Sequence, residues 1–224
     1  MSIPPFQPIY DTAVARKGGV EALEQALTQP KSRDQILSIP DDRWLSTMAK
    51  CVFQAGFSWT VINTKWPAFE QAFDGFDVGR ILFYHDEDMD RLLADKGIVR
   101  NGQKIQSVLD NARFIADVSG ELGSFSTYIA DWPQDDLSGL YLDIAKRGAR
   151  LGGATGQRLL RMMGVSTYVL SGDVLKRLSV EGIADKAPTS KNAWSNVQTA
   201  FNAWADETGR PFTQISQIMA FSVD

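Results

Sequence analysis

Residues 151–164 read LGGATGQRLLRMMG, with glycines at 152, 153 and 156 ahead of leucines and methionines at helical spacing. The segment before it, DIAKRGAR, and the segment QRLLRMM within it both predict helices, so the glycines form a tight hairpin between two helices. Two interpretations stay open. Either the glycines only reverse the chain, or the hairpin's backbone N–H groups also hold an anion, because glycine lets another chain approach closely.

Basic residues surround this hairpin, although the whole chain carries a net charge of -4. That net charge disfavours a protein that coats nucleic acid nonspecifically. The local excess favours one anionic ligand bound at one face, and its alternative is a solvated helix surface. From residue 146 to 177 a single acidic residue, Asp173, stands against seven basic ones: Lys146, Arg147, Arg150, Arg158, Arg161, Lys176 and Arg177.

Apolar residues recur at helical spacing along most of the chain, and strict alternation is almost absent. We therefore predict an all-α protein of one compact unit, residues 1–224, with two helical lobes around a cleft. Helix starts are marked by Ser38 or Asp41 and by Thr189 or Ser190. Helix stops are marked by the glycines at 18, 97 and 148.

Composition excludes several classes of protein. The chain has 224 residues, 44% of them hydrophobic, yet no apolar run approaches the roughly 18 residues of a membrane span. The N-terminal sequence has no export-signal pattern, so we expect a cytoplasmic protein with no membrane partner. One cysteine, Cys51, and one histidine, His85, form neither a disulfide nor a Cys/His zinc site. We expect a monomer with no metal, no structural zinc and no cofactor.

Asp173 is the second candidate for chemistry. In YVLSGDVLKRL, residues 168–178, it stands at the predicted N-terminal cap of a helix over 174–178. Capping is the commonest role of such an aspartate. The functional alternative is a carboxylate that stabilises positive charge developing on a sugar, or that activates water, during glycosidic cleavage.

The order helix, LGGATG hairpin, helix and then VLSGD resembles the helix-hairpin-helix superfamily of base-excision DNA glycosylases. Residues 54–115, through QAGFSW (54–59) and GIVRNGQKI (97–105), closely resemble the bacterial DNA-3-methyladenine glycosylase I family. The likeness covers about residues 35–145, and the hairpin and aspartate segment follows at 146–178. The resemblance implies a helix-hairpin-helix glycosylase fold and a DNA substrate.

The resemblance also implies roles for individual residues. Trp59 matches an aromatic residue that stacks on the extruded base. Gly56 and Phe57 match a loop that fills the gap left in the duplex, and simple core burial is the alternative for both aromatic residues. The hairpin residues expected to grip phosphate are Gly152, Gly153, Thr155, Gly156, Arg150 and Arg158. Residues expected near the base are Gln54, Ser58 and, by a poorer match, Tyr10; Arg100 and Lys104 either flank the DNA or are solvated.

The chain departs from this family in two ways. The family has a base-recognising glutamate eight residues before the tryptophan, where this chain has Cys51, a weak hydrogen-bonding group. The family also has a zinc clamp that this chain lacks, so packing, for example by QISQIMAFSV, must hold the termini. Conversely, Asp173 matches the catalytic aspartate of the wider superfamily.

Three hypotheses follow. The first is a monofunctional DNA glycosylase that flips and hydrolytically releases an alkylated purine from double-stranded DNA, with Asp173 catalytic and no lyase step, because no lysine stands in GATGQ. The second is a non-catalytic module that binds damaged or distorted DNA. The third, a purely structural helical protein, predicts no DNA binding even at low salt.

Overall fold

A computed structural model describes residues 3–223, and every regular element in that range is helical. None of its helices has the length and apolar character needed to cross a membrane. The α-helices, in chain order, are α1 (Gln7–Lys17), α2 (Val20–Ala26), α3 (Arg33–Leu37), α4 (Asp41–Gln54), α5 (Trp59–Ala72), α6 (Val78–Ile81), α7 (Asp86–Ala94), α8 (Gly102–Leu122), α9 (Phe125–Ala130), α10 (Leu137–Arg147), α11 (Ala154–Met163), α12 (Gly172–Val180), α13 (Lys191–Thr208) and α14 (Phe212–Phe221). A short 3-10 helix, Asp74–Phe76, follows α5.

Helix ends follow local chemistry at most of the predicted positions. Ser190 caps α13 by accepting a hydrogen bond from the Ala193 amide, so of the two predicted caps Ser190 is confirmed. Gly18 ends α1 in a left-handed conformation, as expected. The prediction for α4 was wrong, because its N-cap is Pro40. The Asp41 carboxylate instead accepts hydrogen bonds from Ser119 and from the Phe125 amide.

The described chain divides into two compact units, each discontinuous in sequence. Within the described residues, the first comprises residues 3–31, 133–140 and 164–223, and the second comprises residues 32–132 and 141–163. Helices α1, α2 and α12 to α14 belong to the first unit, whereas α3 to α9, most of α10 and α11 belong to the second. The single-unit organisation expected from the sequence stays a prediction.

The core of the second unit is built around α4, which packs against α8, α11 and α5. The apolar stripe predicted from its spacing is buried, with Trp44, Leu45 and Met48 fully inaccessible to solvent. The Trp44 indole N–H donates to the Ser126 hydroxyl at 2.7 Å, which satisfies its polar atom inside the core. A rigid α4 therefore carries Cys51 and the loop that follows it.

The core of the first unit is formed by α14, which packs against α1, α12 and α13. Ile215, Ile218 and Met219 of α14 are fully buried, so the C-terminal segment packs as the sequence predicted. The rings of Tyr168 and Phe201 stack at 4.1 Å between centroids. The N-terminal segment is held as well, because the Trp204 indole N–H donates to the Pro4 carbonyl at 2.8 Å.

Candidate functional site

The glycine hairpin exists and lies between α10 and α11. Helix α10 ends at Arg147, and α11 begins at Ala154. Arg150 and Gly153 adopt positive φ angles of 60° and 57°, which produces the reversal. Gly156 is required for space, since a Cβ there would lie 2.5 Å from the Leu151 carbonyl oxygen. The hairpin is thus a closely packed turn rather than a flexible loop.

The outer side of the hairpin is open. Gly152 and Gly153 are exposed, and a Cβ at Gly153 would meet nothing within 4 Å. The Thr155 amide, one of the groups expected to face outward unpaired, instead donates to the Gly152 carbonyl at 3.3 Å. Gly156 is buried. Among the predicted phosphate-binding glycines, the open surface is therefore at Gly152 and Gly153.

The buried side-chain amide of Asn111 holds the hairpin through two hydrogen bonds. Asn111, on α8, is completely inaccessible to solvent. Its side-chain N–H donates to the Ala149 carbonyl at 3.1 Å, and its side-chain oxygen accepts from the Ala149 amide at 2.8 Å. Both polar groups of this hairpin residue are satisfied without a regular helix. The sequence analysis missed Asn111, although a polar residue in the middle of the apolar face of α8 was a signal.

The QAGFSW segment forms the loop between α4 and the start of α5. Gly56 has a φ of 68°, a left-handed conformation that favours glycine. Phe57 is 45% exposed and Trp59 is 47% exposed, so core burial does not describe either residue. Ser58 precedes α5 as its N-cap, but its side chain makes no capping hydrogen bond. The loop presents two aromatic side chains and a hydroxyl at the surface.

Lys104 of α8 holds this loop through hydrogen bonds to its backbone. Its ammonium donates to the Phe53 carbonyl at 3.1 Å and to the Ala55 carbonyl at 2.7 Å, where it also meets the negative end of α4. Burial, followed by the nearby positive charge of Arg150, lowers the pKa of Lys104. Arg150 also bonds Gln103, the preceding residue on α8. The N-terminus of α8 therefore connects the hairpin with the QAGFSW loop.

Helix α11 reaches the same loop. The Arg158 guanidinium lies 5.0 Å from the centroid of the Trp59 ring, within the range of a cation–π contact. One turn further along α11, the Met162 sulfur lies 3.5 Å from the Cys51 sulfur. The structure thus brings together Trp59, Cys51 and Arg158 from the predicted set. Met162 was missed, though its spacing of four residues from Arg158 places both on one helix face.

Cys51 is an uncharged group in this setting. Its side chain is buried, with 5% of the residue exposed. Burial raises the pKa of its thiol to about 12, despite the opposing effect of the positive charges of Arg158 and Lys50. The position that carries a glutamate in the resembling family is therefore neutral at physiological pH.

The two remaining base-site candidates have partners of their own. Gln54 is buried at the end of α4, and its amide donates to Asn63 of α5 at 3.2 Å. Tyr10 belongs to the first unit, where its hydroxyl donates to Glu24 at 2.9 Å. The Arg210 guanidinium lies 5.2 Å from the Tyr10 ring. These contacts describe both residues as parts of local packing.

Several of the seven basic residues between positions 146 and 177 are paired with acidic residues or buried in the structure. Arg147 pairs with Glu121 at 3.6 Å and with Asp143 at 3.9 Å. Arg177 pairs with Glu181 at 3.3 Å, and burial lowers the pKa of Arg161. The exposed cations nearest the hairpin in sequence are Lys146, Arg150 and Arg158.

Asp173 lies at the surface of the first unit, with 55% of its side chain exposed. It is not the cap of its helix, because Ser171 caps α12 by accepting from the Val174 amide. Asp173 stands in the first turn, 3.9 Å from the Lys176 ammonium. The capping interpretation was therefore wrong, and the carboxylate stays accessible for another role.

Part of the chain is similar to known proteins. The family model described as Methyladenine glycosylase matches residues 39–139, which include the QAGFSW loop and α8. Over 60 residues the chain is 38% identical to DNA-3-methyladenine glycosylase 1 of Escherichia coli (strain K12), and this segment is 27% of the chain and 32% of that protein. The match thus spans about a third of the length of this curated relative.

Solved structures show the same fold at low identity. One, of 3-methyladenine DNA glycosylase I from Staphylococcus aureus, has a TM-score of 0.52 and 21% identity, over 70% of this chain and 85% of that chain. A variant of 3-methyladenine DNA glycosylase I in complex with 3-methyladenine has a TM-score of 0.50 and 23% identity, over 56% of this chain and 80% of that chain. Residues 39–139 are thus similar to the methyladenine glycosylases, and the all-helical fold is that of the solved 3-methyladenine DNA glycosylase I structures.

Proposed function

We propose that the chain is a monofunctional DNA N-glycosylase of base-excision repair, which releases an alkylated purine such as 3-methyladenine from double-stranded DNA. The observation that carries this proposal is the arrangement of the second unit, where Phe57 and Trp59 stand exposed on a loop that α8 connects with the glycine hairpin. The match of residues 39–139 to the Methyladenine glycosylase model and the 60-residue similarity to DNA-3-methyladenine glycosylase 1 of Escherichia coli support it.

Each part of this unit has a role in base extrusion. Gly152, Gly153 and Arg150 offer a phosphate group an open backbone surface and a positive charge, which position the duplex without reading its sequence. Phe57 is an apolar side chain able to enter the duplex and replace the lost base stacking. Trp59 provides a flat surface on which an extruded purine stacks. The hairpin carries no lysine, so no lyase step is proposed.

The hydrolytic step is assigned to Asp173. The bond between the sugar carbon and the base nitrogen breaks, and its electron pair stays on the base. Positive charge then develops on the sugar, and a carboxylate stabilises it. Water adds to the sugar carbon and loses a proton. A 3-alkylated adenine is already positively charged, so its bond is weak, and one carboxylate offsets the absence of the family's glutamate at Cys51.

The first experiment measures release of free base from methylated duplex DNA, with DNA binding measured in parallel at low salt. We expect Asp173→Asn to lower the release rate by about 100-fold or more, with DNA affinity unchanged or tighter. Asp206→Asn is the matched control, since Asp206 is an exposed carboxylate of the same unit, and it should retain the wild-type rate. Equal rates for wild type and Asp173→Asn would remove the aspartate from the mechanism.

The alternative is a non-catalytic module that binds damaged or distorted DNA. One observation favours it, namely the buried neutral thiol of Cys51 where the family has a carboxylate. The same experiment separates the two. DNA binding by the wild type without release of any base would support the binding module, whereas release by the wild type would exclude it.

A further inference from the structure

The contact between Arg158 and Trp59 bears on the substrate, and the argument rests on the glycosylase function proposed above. We define the Trp59 face as Trp59, Cys51, Arg158 and Met162. The Arg158 guanidinium lies 5.0 Å from the Trp59 centroid, and the Met162 and Cys51 sulfurs lie 3.5 Å apart. A base that stacks on Trp59 therefore comes within reach of a guanidinium.

The charge of the Trp59 face is positive. The Cys51 thiol is neutral, and the charges that act on it, those of Arg158 and Lys50, are both positive. Arg158 forms no ion pair with any residue of the part of the chain that the structure describes. Nothing on this face offsets the guanidinium, so the face repels a cation.

This charge acts in opposite directions on two kinds of alkylated purine. A 3-methyladenine nucleotide is cationic, and the Arg158 charge disfavours its entry. An uncharged alkylated purine has no such penalty. When its glycosidic bond breaks, the electron pair of that bond leaves negative charge on the base, which a guanidinium N–H stabilises by a charge-assisted hydrogen bond.

We propose that Arg158 determines the charge of the preferred substrate by donating a hydrogen bond to an uncharged alkylated purine stacked on Trp59. The reaction stays a hydrolysis. Water supplies the hydroxyl group that joins the sugar carbon, and the proton that water loses balances the proton taken up by the departing base. Neutral lesions with an acceptor nitrogen on the ring, of which 1,N6-ethenoadenine is an example, are then released in addition to 3-methyladenine, and Arg158 raises the rate of their release relative to that of the cationic base.

The test compares two DNA substrates under single-turnover conditions. One duplex contains 1,N6-ethenoadenine, and the other contains 3-methyladenine introduced by methylation. For wild type and Arg158→Gln, the measured quantity is the ratio of the two release rates. We expect Arg158→Gln to lower ethenoadenine release at least about tenfold, while 3-methyladenine release is unchanged or faster. Arg158→Lys keeps the charge but loses the planar donors. Its ratio of the two release rates should therefore lie between those of wild type and Arg158→Gln.

Arg150→Gln is the matched control, because it removes one exposed positive charge at the hairpin. It should lower both rates in the same proportion and leave their ratio unchanged. An unchanged ratio in Arg158→Gln, or a wild type that releases 3-methyladenine but no ethenoadenine, would overturn the inference while the glycosylase function stands. A wild type that releases neither base would overturn both.

Discussion

Glu70 of α5 accepts four hydrogen bonds in the second unit, and three of them link α5 to α4. Arg43 donates to both of its carboxylate oxygens at 3.0 Å, Ser46 donates at 2.6 Å, and the Trp66 indole N–H donates at 3.1 Å. Burial by itself would raise the pKa of Glu70, but the hydrogen bonds from Arg43 and Ser46 outweigh it and hold the pKa below the ordinary value of 4.5. The carboxylate is thus a charged structural group between α4 and α5.

This shift predicts how stability depends on pH. A carboxyl group whose folded-state pKa is lowered stabilises the fold above its unfolded pKa, and the stabilisation is lost as pH falls through the folded pKa. We expect Glu70→Gln to lower the free energy of unfolding by about 1–2 kcal/mol at pH 7. The difference from wild type should shrink as pH falls below 4.5. Urea unfolding at pH 7 and at successively lower pH measures it; a constant difference would contradict the assigned ionisation.

At the scale of the element, two glycines of the hairpin have different functions. Gly156 is buried against the Leu151 carbonyl, where a Cβ would lie 2.5 Å from the oxygen. Gly152 is exposed, and a Cβ there would make only an ordinary contact, 3.8 Å from Ala145. The first glycine serves internal packing, whereas the second keeps the outer surface low enough for another chain to approach.

The two alanine variants should therefore differ. Gly156→Ala is expected to lower the free energy of unfolding by about 1–3 kcal/mol, since the backbone must shift to admit the methyl group. Gly152→Ala should leave thermal stability close to wild type and weaken DNA binding, because its methyl group lies on the proposed phosphate surface. Thermal unfolding and a DNA-binding titration on both variants provide the check. Equal DNA affinity of Gly152→Ala and wild type would place the phosphate elsewhere.

A neighbouring helix, α8, also fixes the position of the QAGFSW loop. Phe57 and Trp59 are exposed, so packing of their own side chains does not hold them. The loop is held instead by the Lys104 ammonium at two carbonyls, and the hairpin by Asn111. Both anchors come from α8, a helix of 21 residues that supports the two surface features from one rigid element.

At the scale of the whole molecule, an acidic protein is proposed to bind a polyanion through one small basic surface. The net charge is -4, and the exposed cations available for phosphate contact are few, chiefly Arg150 with Lys146 beside the hairpin and Arg100 just before α8. Repulsion by the rest of the molecule should make nonspecific binding weak.

The dependence of DNA binding on salt tests this picture. With two or three phosphate contacts, the slope of log K against log salt concentration is expected to be about -2 to -3. Arg150→Gln should reduce the slope by about 1. Fluorescence anisotropy with a labelled duplex at several salt concentrations measures both values. A slope near zero would indicate no phosphate contact, and a much steeper slope would indicate a larger interface than the hairpin provides.

The sequence by itself determined the helical class, the buried face of α4, the pair of residues that includes the cap of α13 and the resemblance to methyladenine glycosylases, because periodicity, capping residues and a short motif are local properties of the chain. Only the tertiary structure decided which residues meet. The Lys104–Ala55, Asn111–Ala149 and Cys51–Met162 contacts join positions 49, 38 and 111 residues apart. Helical spacing indicates which side of a helix is buried but not which partner covers it. The contact of Arg158 with Trp59 therefore emerges only from the packing of α11 beside α4 and the loop that follows it.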